Sequence, residues 1–419
     1  MTDKQDRTKT TVNVSSEYGR LRAVLLHRPG VEIERMTPLS AHEALYSDIL
    51  NKPIVDREYA AFSGVFEKWC KVYYVEDILA ELMDDDDLRD RLVRKSCELE
   101  GCPEIYDQII THDDRRLAKE LIEGVEFHGD TDPQRFAERR YIMRPLYNLF
   151  FTRDASSSLY DKVLINTMSF DVRQRETLIY KAIFDQYFRA QWFCAADSDP
   201  LARTEGGDVH VAGSDLLCIG EGIRTNRQGI LALAHRFAKE RKKFRILVQQ
   251  LPKAPDSFIH LDMVFTFLGK SRCMCYQPML TKTGLFASKA TTLIECDNGK
   301  IHTREYNNIL DGLAACGMKM DPVICGGYDP WDWDREQWHS GANFFCLGDG
   351  KVIGYQRNRH TIESMNRAGF AVLDADDVCN GTVSMDDYSQ FVVTFKASEL
   401  PRGGGGARCM TMPINREEA

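Results

Sequence analysis

Asp208-Val-His-Val-Ala-Gly-Ser-Asp-Leu-Leu-Cys-Ile219 contains two short apolar segments joined by a turn. The polar stretch Arg224-Thr-Asn-Arg227 follows, and apolar residues then recur at helical spacing through Ile230, Leu231 and Leu233. Short apolar runs bounded by turn residues are typical of strands, and a period near 3.6 is typical of a helix. The stretch therefore predicts a strand, a second strand and a helix.

The same order occurs at two other places in the chain. Ser158–Asn166 precedes a helical pattern that contains Leu178, Ile179, Ile183 and Phe184, and Asn343–Leu347 with Lys351–Tyr355 precedes a pattern that contains Ile362 and Met365. Arg173 follows Asp154 by nineteen residues, and Arg224 follows Glu205 by the same distance. Repeated units of this kind favour one pseudo-symmetric α/β fold, a single catalytic domain over 1–419. Chance similarity between three strand-helix units is the alternative.

Residues 76–141 have a different pattern of apolar and charged residues. Leucines recur there at helical spacing among many charged residues, which predicts a helical insertion within the α/β domain. The four acids of Asp84–Asp87 are interpreted as a solvated helix terminus rather than a cation site. Before this region, Leu21–His27 predicts the first strand, which ends at the turn residues Arg28-Pro-Gly30.

Composition excludes several classes of protein. The net charge of −9 and the pI near 5.7 leave no basic excess for the phosphates of nucleic acid. The 13 cysteines are scattered without a CxxC pair, so we interpret them mainly as buried thiols rather than a disulfide scaffold. The polar segment Met1–Thr11 does not resemble a signal peptide, and no run of about 18 apolar residues predicts a membrane span. We therefore expect a cytoplasmic protein, and its acidity is compatible with a cationic small molecule.

Three polar clusters adjoin predicted strands: Asn148–Asp154, Glu205-Gly-Gly-Asp208 and His260-Leu-Asp262. If His260 and Asp262 lie on a strand, both side chains face the same side, as acid/base work requires. A surface histidine and plain turns are the alternative reading. The carboxylates of these clusters suit either a metal ion or a planar guanidinium, which needs bidentate acceptors.

The C-terminal stretch Arg402-Gly-Gly-Gly-Gly-Ala-Arg-Cys409-Met-Thr-Met-Pro413 is the fourth candidate. Four glycines allow close approach of the backbone to a ligand, and the apolar residues after them indicate an ordered strand. Arg408 beside Cys409 favours a thiolate and hence a nucleophile. A flexible linker and a buried structural thiol remain the alternatives.

Motifs along almost the whole chain resemble those of the arginine deiminases, within the guanidino-modifying enzymes. They occur in that family's order: Glu17–Gly30, Met36-Thr-Pro38, Phe151-Thr-Arg-Asp154, Arg173-Gln-Arg-Glu176, Glu205–Val209, His260–Phe265, Arg335-Glu-Gln-Trp338 and Ala407–Pro413. The resemblance implies a propeller of five ββαβ units around a central pocket, with a helical insertion after the first unit. It also implies a homo-oligomer, dimer or tetramer.

The resemblance also implies roles for individual residues. Cys409 would be the nucleophile and His260 the general acid and base, while Asp154 and Asp262 would grip the guanidinium with Glu205 beside them. The substrate-binding residues would be Asn148, Phe151, Arg173, Asp208, Arg224 and Gly403. The expected reaction is the hydrolysis of L-arginine to L-citrulline and ammonia through a covalent S-alkylthiouronium, without metal or cofactor.

One position departs from the family pattern. Many members carry an arginine five residues before the nucleophile, and this chain has Gly404 there. The alternatives on the same fold are a deiminase of agmatine or methylarginine and an amidinotransferase. Two further alternatives are an arginine-binding protein without activity and a carboxylate-bound metal hydrolase.

Overall fold

The structure of the chain, a computed structural model, describes residues 10–127 and 140–419. Residues 1–9 of the polar N-terminal segment and residues 128–139 of the expected insertion lie outside the described residues. No helix in the two described ranges has the length and apolar character needed to cross a membrane.

Strands and helices alternate through most of the described chain. The strands are β1 Leu21–Leu26, β2 Lys71–Tyr74, β3 Val125–Glu126, β4 Tyr141–Met143, β5 Ser156–Leu159, β6 Lys162–Ile165, β7 Gln191–Cys194, β8 Val209–Gly213, β9 Leu216–Glu221, β10 Lys243–Gln250, β11 Phe265–Phe267, β12 Arg272–Cys275, β13 Thr291–Asp297, β14 Lys300–Tyr306, β15 Asp321–Ile324, β16 Phe345–Gly348, β17 Lys351–Tyr355, β18 Ala371–Asp374, β19 Phe391–Phe395 and β20 Met412–Arg416. The α-helices are α1 Val31–Glu34, α2 Pro38–Glu43, α3 Lys52–Trp69, α4 Val75–Leu82, α5 Asp86–Glu100, α6 Tyr106–Ile109, α7 Asp114–Glu123, α8 Gln174–Ala182, α9 Arg227–Glu240, α10 Gln277–Thr281, α11 Ile309–Ala315, α12 Pro330–Trp338, α13 Arg359–Arg367 and α14 Ala375–Asn380.

The three strand-strand-helix units predicted from the sequence are confirmed. β5 pairs antiparallel with β6, β8 with β9, and β16 with β17. The helices α8, α9 and α13 follow these three hairpins. A later strand then pairs in parallel with the second strand of each hairpin: β7 with β6, β10 with β9, and β19 with β17. Such parallel pairing needs a crossover, which the helix supplies.

Two further sheets have the same order of pairings. β11 pairs antiparallel with β12, and β15 is parallel to β12. The last sheet joins both ends of the chain, because C-terminal β20 pairs antiparallel with β1, and β2 is parallel to β1 after helix α3. Among the described strands, a two-stranded sheet of β3 and β4 lies outside this pattern.

The second unit shows why these residues form these elements. The Asn226 side chain accepts a hydrogen bond from the Gly229 N–H and caps the start of α9. Apolar residues on one face of α9, including Leu233 and Phe237, pack on the strands around Ile246 in one buried cluster. A helix with one apolar face must bury that face. The helix α9, which connects β9 to β10 in sequence, therefore packs on the sheet that contains both strands.

Four consecutive helices, α4 to α7, lie between β2 and β3, where the sequence predicts an insertion. Their apolar faces share one buried cluster with residues of β6 and α8. The Asp85 side chain caps α5 by accepting from the Leu88 N–H, so the acidic run is a helix terminus as predicted. The division into one domain with an insertion stays a prediction.

Candidate active site

The predicted polar clusters meet because each precedes a strand of an antiparallel pair. Asp154 comes just before β5, Glu205 just before β8, His260 before β11 and Cys409 before β20. Three of these residues, Asp154, His260 and Cys409, line one cavity of about 370 Å³. All four side chains are at most 3% exposed, so any charge there interacts in a medium far less polarisable than water.

The prediction that His260 and Asp262 lie on a strand is wrong. Leu261–Met263 forms a single 3-10 turn, and the following strand begins only at Phe265. The physical reason is the Asp208 carboxylate, which accepts a hydrogen bond from the Leu261 N–H at 2.9 Å and holds this segment in a turn. His260 and Asp262 nevertheless both lie close to the other site residues.

Each nineteen-residue spacing places an acid directly against an arginine. Arg173 donates a hydrogen bond to Asp154 Oδ2 at 2.7 Å, and Arg224 donates to Glu205 Oε2 at 3.1 Å. Arg173 also donates to both oxygens of Glu176, at 2.9 and 2.8 Å. Arg173 and Arg224 are therefore paired charges in the unliganded site. Both arginines line the cavity, although their charges are shared with these carboxylates.

His260 carries a positive charge at neutral pH. Its Nε2 lies 3.0 Å from Glu205 Oε2, and its Nδ1 lies 3.8 Å from Asp154 Oδ1. Burial disfavours the imidazolium, but the charge of Asp154 and the hydrogen bond to Glu205 outweigh it and raise the pKa of His260 to about 9. His260 Nδ1 and Asp154 Oδ1 have no hydrogen-bond partner among the described residues, so both are free to bind a ligand.

The surroundings of Cys409 favour the neutral thiol over the thiolate. Burial raises the pKa of this thiol well above its usual value, and the charges of Asp262 and Asp154 raise it further. Its Sγ lies 3.7 Å from Asp262 Oδ2. Neighbouring Arg408 lowers the pKa of the thiol, as predicted, but its effect is smaller than those of burial and the two carboxylates.

Arg408 does not point its guanidinium at Cys409. It donates to both carboxylate oxygens of Glu17 at 3.1 Å and to Asp262 Oδ2 at 2.9 Å. All of these groups are buried. Arg408 therefore holds the carboxylate of Asp262 beside the sulfur and partly neutralises the negative charge of that carboxylate.

The remaining predicted residues lie at two depths. Asn148, Phe151 and Gly403 line the cavity, as expected of substrate contacts. Asp208 lies behind His260 and outside that lining, where burial raises the pKa of its carboxyl group to about 7. Asp208 accepts a hydrogen bond from the Leu261 N–H, and its predicted substrate contact stays a prediction.

Gly404 lies at the mouth of the cavity with a φ of +88°. The nearest heavy atom to a Cβ placed there would be Leu45 O at 4.0 Å, so the space is open. Arg402 does not fill it, because its guanidinium pairs with Asp48 at 2.7 Å and is half-exposed. Many family members carry an arginine at the position of Gly404, and neither Gly404 nor Arg402 places a positive charge there.

The Gly206-Gly207 pair is more than a plain turn. A Cβ on Gly206 would lie 1.9 Å from Arg153 O, and one on Gly207 would lie 2.4 Å from His260 Nδ1. Any side chain at either position would displace the backbone or the imidazole. The two glycines therefore let Glu205 reach Nε2 of His260.

Sequence reasoning missed three residues of the site: Glu17, Glu176 and Asn343. Glu17 and Glu176 stand inside motifs quoted above, but no local signal shows that they neutralise buried arginines. Asn343 was assigned to a strand, whereas β16 begins only at Phe345. Its position just before a hairpin, like those of Asp154 and Glu205, was the available signal.

Asp154, Glu205 and His260 also satisfy the spacing of a metal site. One potential ligand atom of each lies within 4.8 Å of the others, and all three side chains are buried. Arg173 and Arg224 already share the two carboxylates, and His260 is protonated. A divalent cation would therefore compete with three positive charges.

The comparison with protein families decides between the families of this fold. The model described as arginine deiminase matches residues 42–416. The chain belongs to the arginine deiminase family. An arginine deiminase of Mycoplasma capricolum subsp. capricolum is 31% identical over 97% of this chain and 98% of its own length. One of Pediococcus pentosaceus is 30% identical over 97% of this chain and 99% of its own length.

Solved structures of other guanidino-modifying enzymes share the fold at low identity. SxtG, an amidinotransferase from Microseira wollei, is 13% identical with a TM-score of 0.54 over 97% of this chain and 98% of its own. The N-terminal domain of ArgZ, covalently bound to a reaction intermediate, is 13% identical with a TM-score of 0.52 over 94% and 98%. These similarities establish the mixed α/β fold of this chain.

Proposed function

We propose that this chain hydrolyses L-arginine to L-citrulline and ammonia, with Cys409 as the covalent nucleophile. The observation that carries the proposal is the free Oδ1 of Asp154, which lies in the same cavity as His260 and Cys409. A guanidinium offers five N–H donors, and Asp154 and Asp262 are the carboxylates placed to accept them. The family membership of the chain supports the same reaction.

The positive charge of the bound substrate favours ionisation of the Cys409 thiol. In the unliganded site the pKa of Cys409 is high because of burial and the two carboxylates. A guanidinium bound between Asp154 and Asp262 offsets that negative charge, lowers the thiol pKa and releases the thiol proton to solvent. The resulting thiolate attacks the electrophilic central carbon of the guanidinium.

Protonated His260 acts as general acid in the first half-reaction. It donates a proton to one amino group of the tetrahedral adduct, the C–N bond breaks, and ammonia leaves. The product is an S-alkylthiouronium on Cys409, and His260 is then neutral. Glu205, hydrogen-bonded to Nε2, keeps the ring oriented.

Neutral His260 acts as general base in the second half-reaction. It takes a proton from water, and the hydroxide adds to the thiouronium carbon. The C–S bond then breaks, the thiolate leaves, and loss of the hydroxyl proton gives the ureido group of citrulline. The ammonia released earlier takes up one proton at neutral pH, so the charge of the substrate ends on ammonium.

Recognition of the amino-acid end is assigned to the cavity mouth. Arg173 and Arg224 line the cavity, and Arg224 is 5% exposed with a free Nε among the described residues. An Arg–carboxylate hydrogen bond is charge-assisted and directional. Asn148, Phe151 and Gly403 complete the proposed contacts, and Gly404 adds no charge.

The five-bladed propeller is part of the proposal. Five described sheets share the order of an antiparallel pair and a parallel third strand, and in one of them the pair of β20 with β1 joins the two ends of the chain. This supports five ββαβ units within a single domain over 1–419 with an insertion at 76–141. A cytoplasmic location and a homo-oligomeric state, dimer or tetramer, complete the proposal.

The decisive experiment incubates the purified protein separately with L-arginine, agmatine and dimethylarginine. We expect a ureido product and ammonia in equal amounts from arginine, with much lower rates for the other two compounds. A preference for agmatine or dimethylarginine would favour the other deiminases of this fold. Transfer of the amidino group to an added amine would favour an amidinotransferase.

Because Asp154, Glu205 and His260 have the spacing of a metal site, a metal hydrolase is the second candidate. The charge balance favours the guanidinium, since Arg173 and Arg224 already pair with the two carboxylates. Exhaustive treatment with a chelator should therefore leave arginine hydrolysis unchanged. If activity were lost on chelation and restored by a divalent ion, these residues would be assigned as metal ligands.

A further inference from the structure

We propose that Asn343 is a catalytic residue whose side-chain amide donates a hydrogen bond to Cys409 Sγ and stabilises the thiolate. This inference rests on the proposed role of Cys409 as nucleophile. The Nδ2 atom of Asn343 lies 3.2 Å from Sγ, within hydrogen-bond range of a sulfur acceptor. A donor at that place acts on the reacting atom itself.

The orientation of the amide is fixed by its other contacts. Its Oδ1 accepts hydrogen bonds from the Arg408 N–H at 2.8 Å and the Cys409 N–H at 3.2 Å. Its Nδ2 also donates to the carbonyl of Asp262 at 3.2 Å. A flipped amide would place an NH₂ group against two backbone donors, so Nδ2 must face the sulfur.

Asn343 lies in a site built around it. Its side chain is 1% exposed, and a Cβ on Gly406 would lie 2.7 Å from both Cβ and Oδ1 of Asn343. A Cβ on Gly405 would lie 3.0 Å from Cys409 Cβ. The glycines before the nucleophile therefore allow the loop to close over the amide and the sulfur.

The charges around Cys409 explain why a donor is needed. Asp262 and Asp154 both disfavour a thiolate, and Arg408 gives only a small opposing effect because its guanidinium binds Glu17 and Asp262. The backbone N–H of Gly406 also favours the thiolate. Asn343 adds a neutral donor, which favours the thiolate without repelling the cationic substrate.

The test compares Asn343→Asp with the wild type. Asp keeps an acceptor for the two backbone N–H groups but cannot donate to sulfur when ionised. Asn308→Asp is the matched control, because Asn308 Oδ1 also accepts two backbone N–H groups, from Leu310 and Asp311, at the start of α11. Asn343→Ala removes the donor without adding charge.

The readout is the rate of iodoacetamide alkylation of Cys409 as a function of pH, without substrate, measured on the peptide that carries Cys409. We expect the midpoint to rise by about one pH unit or more in both Asn343 variants, equivalent to a tenfold smaller thiolate fraction. The value of kcat/KM for arginine should fall roughly ten- to several-hundredfold, as for a lost hydrogen bond to a charged group. Asn308→Asp should match the wild type in both measurements.

A wild-type alkylation profile in either folded Asn343 variant would overturn the inference, even if its melting temperature fell. That outcome would leave Asn343 with a purely structural role. Failure of the proposed function has a different signature, because the wild type would then produce no citrulline whatever its alkylation profile.

Discussion

Arg173 binds Asp154 at 2.7 Å across a nineteen-residue separation, and Arg224 binds Glu205 at 3.1 Å across the same separation. Each arginine thus has two roles in the proposed site: it neutralises a buried carboxylate, and it lines the cavity. The two arginines differ in how many of their donors are already bound. Arg173 also holds Glu176, whereas Arg224 keeps a free Nε among the described residues.

The first prediction is that Arg224 decides between arginine and agmatine. Arg224→Ala should lower kcat/KM for arginine about 30- to several-thousandfold more than for agmatine, since losing one partner of a buried charged pair costs about 2–5 kcal/mol. Arg227→Ala, which removes a half-exposed arginine three residues away, is the control and should have no effect. Equal losses on both substrates would show that Arg224 supports only Glu205.

Arg173→Ala should behave differently from Arg224→Ala. It leaves Asp154 and Glu176 without their buried cation, and breaking a buried ion pair typically costs about 3–5 kcal/mol of stability. We therefore expect a lower melting temperature and a loss of activity on both substrates. A stable Arg173→Ala protein with a selective defect for arginine would instead make Arg173 the main carboxylate contact.

The second prediction concerns covalent catalysis. Cys409→Ala should abolish turnover and retain arginine binding, because the carboxylates that hold the guanidinium remain. Acid quenching of the wild type during turnover should leave an arginine-derived mass on the Cys409 peptide. Cys379→Ala, at a half-buried thiol outside the cavity, is the control and should retain full activity. Turnover by Cys409→Ala would refute the covalent mechanism.

The parts of this molecule that sequence alone predicted depend on local patterns. The hairpins β5–β6, β8–β9 and β16–β17 follow from short apolar runs and turns, and the helix terminus at Asp84–Asp87 follows from a run of acids beside a helical pattern. Cys409 and His260 were found through motifs whose order along the chain was informative. The signals for the hairpins and the helix terminus lie close in sequence to the features that they predict.

The errors arose from contacts between distant residues. His260 and Asp262 leave the predicted strand because the carboxylate of Asp208, 53 residues from Leu261, binds that residue's N–H. Arg408 faces away from its neighbour Cys409 because its guanidinium binds Glu17. That residue lies 391 residues away in sequence but within hydrogen-bond distance. No local pattern encodes such partners.

The third prediction concerns the stability contributed by His27. Buried His27 lies 2.8 Å from Glu76 and 3.3 Å from Glu32. Burial opposes its charge, but these two glutamates raise its pKa from 6.5 to about 10, while Arg28 shares the carboxylate of Glu76. Because the folded state binds this proton more tightly, the stabilisation is complete below pH 6.5 and is lost as the pH rises toward 10.

His27→Gln should therefore lower the free energy of unfolding by about 1–3 kcal/mol at pH 6, as for a lost hydrogen bond to a charged group. The difference from the wild type should shrink steadily between pH 6.5 and 10 in chemical denaturation. His302→Gln, at an exposed position on β14, should show no such trend. A difference that stays constant with pH would mean that His27 is neutral in the folded protein.

The last prediction concerns the pH dependence of ammonia release. Asp154 and the hydrogen bond to Glu205 hold the pKa of His260 at about 9 despite burial, so the imidazole enters the reaction with its proton. The value of kcat/KM for ammonia release, which reports the unliganded enzyme, should fall above pH 9, by about tenfold per pH unit, because the general acid is lost. Glu205→Gln removes one of the carboxylates that support the imidazolium and should move this fall to lower pH. His260→Ala should lower kcat far more than it weakens arginine binding, since acid and base roles belong to the transition states. A profile that stays flat to pH 10.5 in the wild type, or a His260→Ala variant changed only in KM, would assign the proton transfers to another group.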